Sequence, residues 1–275
     1  MADGDPAAYV LGYSESELER LGVQASVIDP MFRRTLEEAG IGRGMRLLDV
    51  ACGPGYVSTM LADMVGPDGE VVGVDISAPA LATAKSRVEK LGLKNVSFHE
   101  GDPSKMSFDK PFDAVVGRYI LMFLSDPVGM LRGVASHARK GGIVAFHEVS
   151  WYSATSYPES PLYDKVCGWL LRTIETANAD ADMGLKLPMT FVSAGLPAPN
   201  MRTESLIGSG SAAEPVRLVV ELLRTLMDSA IASGIATADE IGIDTLDARV
   251  REELLANRST AACRSEVGAW VKLPS

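Results

Sequence analysis

Cysteine is scarce in this chain. Its 275 residues hold three, Cys52, Cys167 and Cys263, an odd number without CxxC spacing or a neighbouring histidine cluster. That pattern excludes a disulfide framework and a structural zinc site. Basic residues are outnumbered, 26 Lys and Arg against 36 Asp and Glu, and the net charge of −10 repels phosphate backbones. No nucleic-acid partner is expected. No window approaches about eighteen uninterrupted apolar residues, and no basic segment followed by an apolar stretch opens the chain. No membrane partner and a cytoplasmic location are therefore expected. What is present is the balance of a folded chain, 47% hydrophobic and 23% charged, with length enough for one large domain or one domain with a substantial insertion.

Helical spacing runs through the first forty residues, around Leu18, Leu21, Val23 and Val27, and predicts a separate second helix over 31–39. Gly40, Gly42 and Gly44 end that pattern, and Leu47-Leu48-Asp49-Val50 reads as a buried strand. From there the signals alternate, with helix over 57–65, strand 70–74, helix 79–91 and strand 96–99. Strand 112–117, helix 127–139 and, after a turn at Gly141-Gly142, strand 143–148 follow. Five strands joined this way predict a parallel sheet covered on both faces, a doubly wound α/β domain. Beyond Glu148 the texture changes to aromatics and prolines, then helices over 162–176 and 186–194. A strand over 201–207 and a last strand over 268–273 would form an antiparallel ribbon, with helices 215–233 and 246–257 inserted between them.

Asp49-Val50-Ala51-Cys52-Gly53-Pro54-Gly55-Tyr56 follows a strand and opens a helix, which puts Gly53 and Gly55 in the tight turn where a ligand can approach the backbone. Asp75 lies twenty residues past Gly55, closing the strand Val71-Val72-Gly73-Val74, where a carboxylate can accept both hydroxyls of a ribose. Gly101-Asp102 closes the third strand. Acidic groups at the carboxyl ends of successive strands point to an adenosine-type cofactor.

In these residues the sequence resembles the class I S-adenosylmethionine-dependent methyltransferases. The resemblance covers 46–148 through Leu48-Asp49-Val50-Ala51-Cys52-Gly53-Pro54-Gly55, Val74-Asp75-Ile76-Ser77, Glu100-Gly101-Asp102 and Phe112-Asp113-Ala114-Val115-Val116. It implies a mostly parallel seven-stranded sheet with N-terminal helices and helical insertions after strand 5 and between strands 6 and 7. It implies S-adenosyl-L-methionine as cofactor, with Ala51, Gly53 and Gly55 bordering the methionine part, Asp75 on the ribose and Ile76 beside adenine. Asp102, flanked by Gly101 and Pro103, would meet the adenine amine, Arg118 would sit near the methionine end, and Tyr13 or Gln24 would reach in from the N-terminal helices. Asp49 would steady the turn. Ala51 departs from the glycine common at that place. The chain then divides into a helical lid (1–44), a cofactor-binding core (45–150), and helical cover insertions with the C-terminal strands that complete the sheet (151–275).

Methyl transfer from a sulfonium is an in-line displacement, so the protein chiefly aligns nucleophile, methyl carbon and sulfur. A base is needed only where the acceptor must lose a proton, and His147 or Glu148, at the end of the fifth strand, is placed to assist. His99 reads as a structural histidine and His137 as a solvated residue on a helix. Tyr119 and Met122 after the fourth strand, with Trp151 and Tyr152 after the fifth, read as an apolar pocket for a flat or hydrophobic acceptor. Trp169 reads as packing, Asp180-Ala181-Asp182 as a solvated loop, and no metal is expected. The leading reading is methyl transfer to oxygen, nitrogen or carbon of a small molecule, natural products among the candidates, by a monomer or homodimer. Two others stay open: a regulatory binding protein that transfers no methyl, and a lyase or cyclase using the cofactor's charge. Gly53-x-Gly55-x-x-Ser58 nearly matches a dinucleotide pattern, but Asp49 and the recurring Gly101-Asp102 count against a nicotinamide enzyme. Calorimetry is expected to find S-adenosylmethionine binding without NAD binding, and Asp75→Ala to weaken it by roughly 1.5–3 kcal/mol per lost charged hydrogen bond.

Overall fold

The structure, a computed structural model, describes residues 15–210 and 213–275. They form two compact units. A core unit takes Ala25–Glu148, Gly184–Arg202 and Val267–Ser275; a cover unit takes Val149–Met183, Thr203–Glu266 and, among the described residues, 15–24.

The core unit begins in α1 (Glu15–Ala39), one continuous helix with Pro30 inside it. The two helices expected there are one. Proline removes one backbone donor from the ladder, but the chain is held helical by a buried stripe of Ala25, Ile28, Met31, Phe32 and Leu36 running through the proline. Next come β1 (Arg46–Val50), α2 (Tyr56–Val65), β2 (Glu70–Asp75), α3 (Ala78–Lys90), β3 (Val96–Glu100), β4 (Phe112–Arg118), α4 (Pro127–Ala135) and β5 (Ala138–Ser150). Later in the chain, α6 (Met183–Ser193) and the end of β8 (Thr260–Lys272) return to this unit. The strand order is β3-β2-β1-β4-β5-β8. The β1–β2, β1–β4, β2–β3 and β4–β5 pairs are parallel, as crossovers through helices require.

β1, β2 and β4 are buried along nearly their whole length, whereas β3 is largely exposed at the edge. Leu47, Val71, Ala114, Val116, Ile143 and Ala145 from the sheet pack with Phe32 and Leu36 of α1 and with Val57, Met60, Leu61 and Val65 of α2. β5 starts five residues before the expected strand. Gly141-Gly142 is an irregularity within it rather than a turn ahead of it: Phe112 pairs with Ala138, then Ala114 with Ile143, and Gly141 (φ +67°) takes up the excess. His137, expected on a solvated helix face, lies just past α4, partly buried, with Nε2 2.8 Å from the Pro103 carbonyl and its ring edge-on to Phe108. His99 is exposed on β3.

In the cover unit, β6 (Thr155–Tyr157) pairs antiparallel with Thr260, Ala261 and Ala262 of β8, an addition to the seven expected strands, and β7 (Asn200–Ser209) also pairs with β8. Between β7 and β8 lie α7 (Glu214–Ala232), the short α8 (Ala238–Ile241) and α9 (Ile243–Asn257), where two helices were expected. α5 (Pro161–Thr176) buries Tyr163, Val166, Trp169 and Leu170, so Trp169 is packing. Asp180-Ala181-Asp182 is no solvated loop: Ser150 Oγ donates to Asp182, and Trp151 N–H donates to the Ala181 carbonyl at 3.0 Å. No helix of the described residues is long and apolar enough to cross a membrane.

Gly73 of β2 is a packing position, because a Cβ there would come within 2.7 Å of the Phe98 ring and 2.9 Å of Cys52 Sγ. Gly73→Ala is expected to cost about 1–3 kcal/mol through overpacking, read by urea unfolding.

Candidate cofactor site

The turn after β1 bends back sharply. Ala51, Gly53 and Gly55 have φ of 53°, 52° and 81°, three left-handed residues within five. Glycine takes this region freely; Ala51 does not, and the surrounding bonds hold it. Cys52 N–H donates to the Val74 carbonyl at 3.0 Å, Gly53 N–H to Asp75 Oδ2 at 2.8 Å, and Gly55 N–H to the Cys52 carbonyl at 3.0 Å. The two glycines differ in surroundings. A Cβ on Gly53 would meet nothing within 4 Å, whereas one on Gly55 would lie 2.9 Å from Ala84 Cβ on α3. Gly53 thus faces open space and Gly55 seals a helix contact.

Asp75 is 6% exposed, and its Oδ1 accepts from Ser77 N–H at 2.8 Å. Burial raises its carboxyl above the usual range, while the Ser77, Gly53 and Ile76 N–H groups pull it back. A carboxylate has about four acceptor positions, so with three N–H groups turned to it about one remains for a ligand's hydroxyl. Ile76, beside it, is 56% exposed. Gly101 N–H donates to the Asp75 carbonyl at 3.0 Å and so aligns the end of β3 with that of β2. Asp102 accepts from Ser104 N–H at 2.9 Å and Ser104 Oγ at 2.6 Å and pairs with Lys105 at 2.8 Å. Partial burial alone would raise its carboxyl; the Lys105 and Ser104 bonds outweigh this and hold it low.

At the ends of β4 and β5, the nearly buried Arg118 pairs with Asp29 of α1 at 2.6 Å. Tyr119 is left-handed (φ 54°), and its N–H donates to the His147 carbonyl at 2.9 Å. The His147 ring is met edge-on by Phe32 at 5.0 Å and Tyr119 at 5.8 Å. Glu148 is fully buried, and its Oε1 accepts from Ile120 N–H at 3.0 Å and Leu121 N–H at 2.8 Å. That carboxylate fixes the 3-10 turn Leu121–Phe123, which carries the buried Met122. Asp29 and Phe32 were missed from sequence because nothing local on α1 marks them; only the fold brings them to Arg118 and His147.

A family model described as a methyltransferase domain matches residues 41–183, more than half of the chain. The protein belongs to the methyltransferase domain family. Aklanonic acid methyltransferase DauC of a Streptomyces species is 36% identical over 134 residues, which are 48% of this chain and 60% of that protein. Demethylmenaquinone methyltransferase of Lactococcus lactis is 32% identical over 131 residues, 47% of this chain and 50% of that protein. The chain thus spans half to three-fifths of the length of these curated relatives. A solved Haemonchus contortus phosphoethanolamine N-methyltransferase 2, in complex with phosphomonomethylethanolamine and S-adenosylhomocysteine, superposes with a TM-score of 0.52 at 17% identity. The match covers 85% of this chain and 50% of that one, and likeness at this identity concerns the fold.

Within the methyltransferase domain, Ala51, Gly53, Asp75, Ile76, Gly101 and Asp102 lie at the carboxyl ends of β1, β2 and β3, and Pro103, next in the chain, is buried. Tyr13 lies outside the described residues. Gln24 is partly buried on α1, where that helix passes from cover unit to core unit. Tyr119 and Met122 belong to the core unit, and Trp151 and Tyr152 to the cover unit, the first of that pair buried and the second 65% exposed with its hydroxyl on Glu175.

Beneath the turn, Asp49 is 1% exposed and its Oδ2 accepts from Ser58 Oγ at 2.5 Å. Burial pushes its carboxyl up to about 7; the Ser58 bond and Arg118 pull it down, and Asp75 pushes it up. Unfolding returns the group to 3.8, so its contribution to stability is full below that value and is lost as pH rises through about 7. Asp49→Asn keeps an acceptor for Ser58 and abolishes the titration. Its stability relative to wild type is expected to rise by up to about 4 kcal/mol between pH about 4 and above 7, read by urea unfolding across that range.

Proposed function

We propose that the protein transfers the methyl group of S-adenosylmethionine to a small-molecule acceptor. The observation that carries this reading is the Gly53–Asp75 cradle, in which a backbone opening without side chains stands beside a buried carboxylate that keeps acceptor capacity for a ligand's hydroxyl. Asp75 takes a ribose hydroxyl, Ile76 covers one face of adenine, Asp102 accepts from its amine, and Ala51, Gly53 and Gly55 border the methionine part with Arg118 nearby. The cofactor, when bound, supplies an electrophilic methyl group. The chain's share is alignment and exclusion of water.

His147 takes the acceptor's proton where one must leave. Glu148 is a positioning residue, its Oε1 engaged by two backbone N–H groups. The acceptor class is a flat or hydrophobic metabolite, for which Tyr119 and Met122 of the core unit offer apolar contacts. The names of two relatives support a small molecule, one acting on aklanonic acid and the other on demethylmenaquinone.

Methyl-labelled S-adenosylmethionine, incubated with the protein and a metabolite extract of its source and followed by mass spectrometry, is expected to label a small molecule with wild type and not with Asp75→Ala. Bound cofactor without labelled product across several extracts would sink the transfer reading. With the acceptor in hand, His147→Ala is expected to slow turnover by roughly 10²–10⁴-fold if that acceptor must be deprotonated.

A further inference from the structure

The glycine turn is gripped from outside by a residue that none of the motifs includes. Arg87, late in α3 and 33 residues along the chain from Pro54, donates from Nε to the Pro54 carbonyl at 3.0 Å. Its guanidinium lies 3.6 Å from the centroid of the Tyr56 ring, on the first residue of α2. Ala84, three residues earlier on the same face of α3, is the residue against which Gly55 packs. The N–H of the Pro54–Gly55 peptide is held by the Cys52 carbonyl and its C=O by Arg87. A peptide unit is planar, so holding both ends sets its orientation, and Gly53 N–H, two peptides earlier in the same tight turn, is kept on Asp75. A cation at the start of a helix opposes the helix dipole. Stabilising α2 is therefore no reason for a guanidinium there, whereas the carbonyl and the ring are.

We propose that Arg87 is a positioning residue for the cofactor, holding the turn in the shape in which Gly53 and Asp75 form the ribose cradle before ligand arrives. This rests on the S-adenosylmethionine reading. Among the described residues it is the side chain that joins α3 to the backbone of the turn by a charged hydrogen bond.

The experiment is calorimetry with S-adenosylhomocysteine on wild type, Arg87→Met and Arg87→Lys, with thermal melting of each ligand-free protein. Arg87→Met is expected to bind roughly tenfold more weakly with little change in melting. Arg87→Lys, which keeps the charge but lacks the planar fork, is expected to recover part of the affinity. Millimolar methylguanidinium is expected to restore part of the Met variant's binding. A dissociation constant for Arg87→Met within about twofold of wild type overturns the proposal. So does equal weakening in the Lys variant without recovery by methylguanidinium, which marks a merely structural peg. If Arg87→Met does not fold, Arg87→Gln replaces it, with weaker binding expected and unchanged binding overturning the proposal. Wild type that binds no S-adenosylhomocysteine refutes the cofactor reading itself, a result distinct from the others.

Discussion

The hydrogen bond from Gly53 N–H to Asp75 Oδ2 ties the turn after β1 to the carboxyl end of β2, and the site is arranged around it. It needs Gly53 in a left-handed conformation, which puts the bare α-carbon toward open space. It needs a buried carboxylate, and burial is tolerable because three backbone N–H groups surround Asp75. It needs β1 and β2 in register, and Val50 pairs with Val74 directly before the turn.

Charge below and beside that turn follows the same economy of partners. Asp49 has Ser58, Arg118 has Asp29, and Glu148 has two N–H groups of the β4 turn. Removing one partner leaves a buried donor or acceptor unsatisfied at a cost of about 1–3 kcal/mol, so each of these residues constrains its neighbour's position. The cover unit uses the device too: Arg264 and Glu266, both nearly buried on β8, pair at 2.9 Å with the Arg264 guanidinium 5.0 Å from the Trp151 ring.

The elements around the cofactor turn were legible because their signals are local. β1, α2, β2, α3, β3 and β4 fall within two residues of the ranges expected from hydrophobic periodicity and glycine breaks. α1 was split in error, since a buried helix face carries the helix unbroken through Pro30. β5 was shortened because Gly141-Gly142 resembles a turn in sequence, while its pairing with β4 absorbs the extra residues. His137 was misread because the carbonyl it bonds lies 34 residues away.

The sequence by itself determined the alternating α/β order, the glycine turn and the acidic residues that close β1 through β3, since each is written within about thirty residues of chain and obeys local steric or periodic rules. The tertiary structure decided which buried groups are partners. Asp29 with Arg118, 89 residues apart, and Arg87 with the Pro54 carbonyl are fixed by helix packing on the sheet. Composition and spacing carry no record of such pairs, because contact across a fold depends on where whole elements come to rest.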